Sequence, residues 1–119
     1  MGTVVLALAL LAGCRPGNRG ELLLECDVVP RPPRVGPADV RITLLGRGRR
    51  PVLGAQVSIE ADMSHPGMKP IFAEASAQGG EYHSKLNFEM PGDWTLLIHA
   101  KLPDGETAED QVPVTVREK

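Results

Sequence analysis

Met63-Ser64-His65-Pro66-Gly67-Met68 gathers two thioethers and an imidazole into six residues. Thioether sulfur is a soft donor that selects Cu(I), and imidazole suits copper in either oxidation state. Proline fixes its own φ and glycine tolerates φ > 0, so Pro66-Gly67 predicts a sharp turn that aims His65 and Met68 at one point. A further methionine, Met90, stands directly before a second such pair, Pro91-Gly92. The expectation is that the two turns meet at one end of a β-sandwich and hold a copper ion through Met63, His65, Met68 and Met90.

Other donors fit this chemistry less well. His83 falls on the polar side of its strand and reaches the site only if that face borders the Met/His loop. His99 shares an outward face with Leu97 and Lys101. Asp62 and Glu60 are hard oxygen donors, poorly matched to Cu(I), and supply local negative potential instead. Cys26 lies on the apolar side of a predicted strand, where it reads as a small buried core residue. Blue-copper electron transfer needs a thiolate with two imidazoles, and Cys26 is far in sequence from both turns. A set of Met and His without thiolate holds Cu(I) exchangeably, which suits a carrier. No P-loop, Gly-x-Ser-x-Gly or HExxH stretch is present, so an enzyme is not expected.

The elements that position these donors follow from alternation. With 119 residues the chain is the size of one domain, and with one Trp, one Tyr and two Phe its core must be mostly aliphatic. Thirteen Gly and eleven Pro favour short strands joined by turns over a helical bundle. A net charge of -2 leaves no basic footprint for nucleic acid. Period-two patterns predict strands over residues 22–29, 39–45, 54–63, 71–77, 81–90, 94–100 and 111–117. The fourth alternates least cleanly. Pro30 to Pro37 reads as a linker, Gly46 to Arg50 as a solvated hairpin tip, and Pro113 marks an edge strand. The fold class is all-β: a seven-stranded antiparallel immunoglobulin-like β-sandwich.

Ahead of residue 21 the pattern changes. Residues 3–11 form an apolar run too short to span a bilayer as a permanent helix, which reads as the core of an export signal. Leu11-Ala12-Gly13-Cys14 resembles the lipobox of bacterial lipoproteins, although no Lys or Arg precedes the run. The resemblance implies a signal peptide with lipobox over residues 1–13, a lipidated Cys14 with a tether over 14–20, and a single sandwich domain over 21–119. It also implies an exported chain, lipid-anchored at the outer face of the cytoplasmic membrane or in the periplasm.

Four pieces in order, Gly54–Ile59 (GAQVSI), the Met-rich turn, Gly79–Tyr82 (GGEY) and Phe88–Leu96 (FEMPGDWTL), resemble the YtkA-like and FixH-like exported domains. The resemblance covers roughly Val35 to Val116. It implies a small membrane-anchored β-sandwich associated with copper handling and assembly of haem-copper oxidases. Matched by motif, Met63 and Met68 fall in the family's Met-rich turn and Met90 in its Met-Pro-Gly-x-Trp turn. The functional expectation is an extracytoplasmic copper-binding protein that carries or delivers Cu(I), with a haem-copper oxidase or another copper-receiving protein as partner. The alternative is a metal-free interaction module that supports assembly of a membrane complex.

Overall fold

The computed structural model describes residues 22–118. The expected signal, Cys14 and the tether lie outside the described residues. Seven strands follow one another: β1 (Leu23–Val29), β2 (Gly36–Leu45), β3 (Gln56–Met63), β4 (Ile71–Gln78), β5 (Glu81–Phe88), β6 (Gly92–Lys101) and β7 (Thr107–Val116). All ladder pairings between them are antiparallel, in the spatial order β1-β2-β5-β4-β3-β6-β7. The chain thus makes the all-β sandwich its alternation predicts.

Strand β4 belongs to both layers. Its first half pairs with β3, from Ala61↔Ile71 to Val57↔Ala75. Its second half pairs with β5, from Ser76↔His83 to Gln78↔Glu81. Where the second ladder ends, the buried Ser84 hydroxyl donates to the Glu74 carbonyl at 2.9 Å and holds the bend together. The opposite seam is closed by a parallel bridge between Arg34 and Arg117, with Val35 N–H donating to Arg117 O at 2.8 Å and Arg117 N–H to Pro33 O at 2.9 Å.

One core fills the space between the layers. Val40, Ile42 and Leu44 from β2 and Tyr82, Leu86 and Phe88 from β5 meet Val57 and Ile59 from β3 and Trp94, Leu96 and Ile98 from β6. Phe88 and Trp94 pack edge to face, with ring centroids 5.3 Å apart and planes at 62°, a geometry that adds about 0.5–1.5 kcal/mol beyond burial. The prolines act as expected in β7 and not in β2. Pro113 sits in β7, which ends the strand order. The linker after β1 is shorter than its four prolines suggested, because β2 already begins at Gly36 and runs through Pro37.

The strand directions sort the connections to two ends. At one end lie the Pro-rich linker, the β3–β4 loop with Met68, and the β5–β6 turn with Met90. At the other lie Leu22, the β2–β3 loop, the β4–β5 turn and the β6–β7 turn.

Candidate metal centre

The β3–β4 loop turns where the sequence requires it. Met68 N–H donates to the His65 carbonyl at 3.4 Å, and Gly67 has φ 84°. Proline at the second position and a positive-φ glycine at the third define a type II β-turn, whose first and fourth Cα atoms lie within about 7 Å of each other. His65 and Met68 are those first and fourth residues. His65 is exposed and Met68 half-buried.

Register brings the second turn to the same place. Met63, the last residue of β3, is the ladder partner of Trp94 in β6. Ser64 N–H continues this link by donating to the Asp93 carbonyl at 3.1 Å. The Met63 methyl lies over Gly92, where an added Cβ would come within 2.5 Å of Met63 Cε. Gly92 also has φ 132°, so the backbone there calls for glycine, while the flexible end of Met63 only rests on it. The Trp94 indole N–H donates to the Met90 carbonyl at 3.1 Å. That bond fixes the backbone that carries the last methionine to the ring that anchors the core beneath it. Met63 and Met90 are half-buried and pack against the core.

Gly92 and Trp94 were not candidates in the sequence. The signal that could have found them is the spacing Met-Pro-Gly-x-Trp, which sets an aromatic donor four residues after the methionine. Met90 itself was expected at the end of the fifth strand. That strand stops at Phe88, since Pro91 has no N–H to extend a ladder, and Met90 belongs to the turn.

His83 is placed elsewhere. It is the ladder partner of Ser76 and Arg41, close to the β4–β5 turn, and five residues of strand, roughly 17 Å at ~3.3 Å per residue, separate it from Phe88 at the methionine end. Its Nε2 lies 2.9 Å from Glu81 Oε1. His99 faces outward from β6 with Nδ1 3.0 Å from Glu109 Oε2. Among the described residues, no group of three His, Cys, Asp or Glu side chains is arranged to hold a metal ion.

Acidic groups flank the methionine turns, and the same end also carries Lys69 in the loop and Arg31, Arg34 and Arg117 at the linker. Glu60 and Asp62 share the outer side of β3. A hydrogen bond that the protonated Glu60 carboxyl donates to Asp62, followed by slight desolvation and the charge of Asp62, raises the Glu60 pKa from its ordinary value. Asp93 Oδ1 accepts from the Thr115 hydroxyl at 3.1 Å. At this end Met63, Met68 and Met90 are half-buried and His65 is exposed.

The YtkA-like family profile matches residues 24–99. Among solved structures, CopC from Methylosinus trichosporium OB3b aligns with a TM-score of 0.52 and 18% identity, covering 82% of this chain and 94% of CopC. This likeness shows a common fold. Murine CRIg aligns with a TM-score of 0.45 and 13% identity, over 82% of this chain and 98% of that one. No curated protein matches the chain.

Proposed function

This chain belongs to the YtkA-like family, and on that premise we propose that it is an extracytoplasmic, membrane-anchored copper carrier without catalytic activity. Met63, His65, Met68 and Met90 form its Cu(I) site. The observation that carries this reading is the location of both Pro-Gly turns at one end of the sandwich, with Met63 lying over Gly92 of the second turn. Three thioethers and an imidazole match the softness of Cu(I), and with no thiolate beside them among the described residues the ion stays exchangeable. The carrier reading also accords with the copper-handling role implied by the resemblance drawn from the sequence. A haem-copper oxidase or another copper-receiving protein is the proposed acceptor.

The test is a Cu(I) titration of the chain from Arg15 onward against a competing chromophoric chelator. The wild type is expected to bind one ion, and Met68→Ala and His65→Ala each to weaken binding by at least roughly ten-fold, the scale on which even a supporting partner of a metal ligand matters. His83→Ala is expected to leave the affinity unchanged. A wild type that fails to compete, or binding indifferent to both loop substitutions, overturns the reading. A metal-free assembly module then takes its place. The contact of Met63 and Met90 with the core favours that second reading, because it gives both side chains a packing role without metal.

A further inference from the structure

The end opposite the methionine turns carries a surface with different chemistry. The β2–β3 loop opens with Gly46-Arg47-Gly48-Arg49-Arg50, three arginines within four residues, all exposed. The loop is built rather than loose. Gly46 N–H donates to Arg50 O at 2.7 Å, Arg49 N–H to Gly46 O at 3.0 Å, and Val52 N–H to Leu44 O at 2.8 Å. Arg49 reaches Glu25 only at 3.7 Å, with the two side chains 71% and 52% exposed, a pairing weak enough to yield to another anion.

An apolar group stands beside these charges. Leu53 is 63% exposed, and it is held there. The Tyr82 hydroxyl accepts from Ala55 N–H at 3.1 Å and donates to Val52 O at 2.7 Å, which ties the backbone on both sides of the leucine to the core. Leu23, also exposed, is the ladder partner of Leu45, the residue before the loop. Two of the three exposed large apolar side chains among the described residues are therefore at this corner. The acidic residues Asp104 and Glu106 share the same end on the β6–β7 turn, whose Pro103 lies against Gly54, the residue after the leucine.

We propose that the β2–β3 corner, with Arg47, Arg49, Arg50 and Leu53, docks on the surface of an anionic lipid bilayer. Guanidinium groups beside a projecting leucine suit an interface where phosphate headgroups border acyl chains. A soluble polyanion would use the arginines and leave the leucine without a role. The chain also arrives at this corner, at Leu22, from the segment that carries the lipobox-like stretch in the sequence. A lipid chain plus a basic patch is the two-part arrangement that stable anchoring needs. The inference is independent of the copper reading, and its test contains no copper, so either can fail alone.

Among the described residues, 22–118, seven strands enclose a core of their own, so the chain from Arg15 onward is the unit to test, free of any lipid on Cys14. Its binding is measured by flotation with vesicles of phosphatidylcholine alone and of phosphatidylcholine mixed with phosphatidylglycerol, at low and raised salt. Binding is expected only to the anionic vesicles and is expected to fall with salt. Replacing Arg47→Gln, Arg49→Asn and Arg50→Gln together is expected to weaken it on the order of 100-fold, or about five-fold per arginine. Asparagine is chosen at position 49 because that residue has φ 59°. Leu53→Gln is expected to weaken binding while leaving the salt dependence unchanged. Equal binding to neutral vesicles, or an unaffected triple variant, overturns the proposal. So does full competition by inorganic polyphosphate with no loss in the Leu53 variant, which would mark a soluble-anion site.

Discussion

At the scale of single residues, Cys26 shows how far side-chain type carries. Alternation put it on the apolar side of β1, and there it packs against the core with partial exposure. Burial pushes its thiol up to about 11, with the negative charges of Asp27 and Asp110 adding to the effect. The neutral thiol is favoured in the fold. Stability from this group is therefore fully present below the ordinary value near 9.0 and is lost as pH rises toward 11. Thiolate is the reactive form, so at about pH 8 Cys26 is expected to react with a thiol reagent on the order of 100-fold more slowly than a free cysteine. A rate near that of free cysteine would refute the assignment. The histidines mark the limit of the same reasoning. A period of two tells which face of a sheet His83 occupies, and it does face outward. It cannot tell toward which end of the sandwich that residue lies, because that depends on strand direction and register, which are properties of pairing. For the methionine loop the local chemistry of Pro66-Gly67 and Pro91-Gly92 was enough to foresee both turns. Only the Met63↔Trp94 register put them at a common end.

At the scale of elements, all seven strands were legible because inward and outward residues alternate in each. Less legible was the division of β4 between two layers. Its trace in the sequence is the weak alternation of residues 71–77, where Ala73, Ala75 and Ala77 give little contrast, and hydrogen-bond pairing leaves no mark of its own on side-chain type. The β2–β3 connection was expected as a solvated tip, which describes its arginines and misses its anchoring. Tyr82 read simply as an inward-facing core residue, yet its hydroxyl joins Val52 and Ala55 across a long stretch of chain. Tyr82→Phe keeps the ring and removes both bonds. It is expected to cost about 1–3 kcal/mol in denaturant unfolding and to speed amide exchange at Ala55. No change in either would mean that the hydroxyl bonds do not hold the loop.

At the scale of the whole molecule, the two functional proposals occupy opposite ends of strands as long as β2, ten residues or roughly 33 Å at ~3.3 Å per residue. A fluorophore on Pro51→Cys is therefore expected to be quenched by nitroxide lipids in anionic vesicles, and one on Lys69→Cys to be spared, Cys26 being too unreactive to take label. Equal quenching at both positions would mean that the molecule lies on its side. The pairing that joins the two methionine turns also has a consequence in time. β3-β4-β5 is a meander of neighbours, and the turn bearing His65 and Met68 closes locally within it. The contact between Met63 and the β5–β6 turn exists only once β6 has crossed back to β3, a closure of long sequence separation that carries a larger entropy cost. A partly folded chain thus presents the first turn without the second. On the proposed copper reading, the ion then meets a complete set of donors only on finished molecules, and loading doubles as a check on folding.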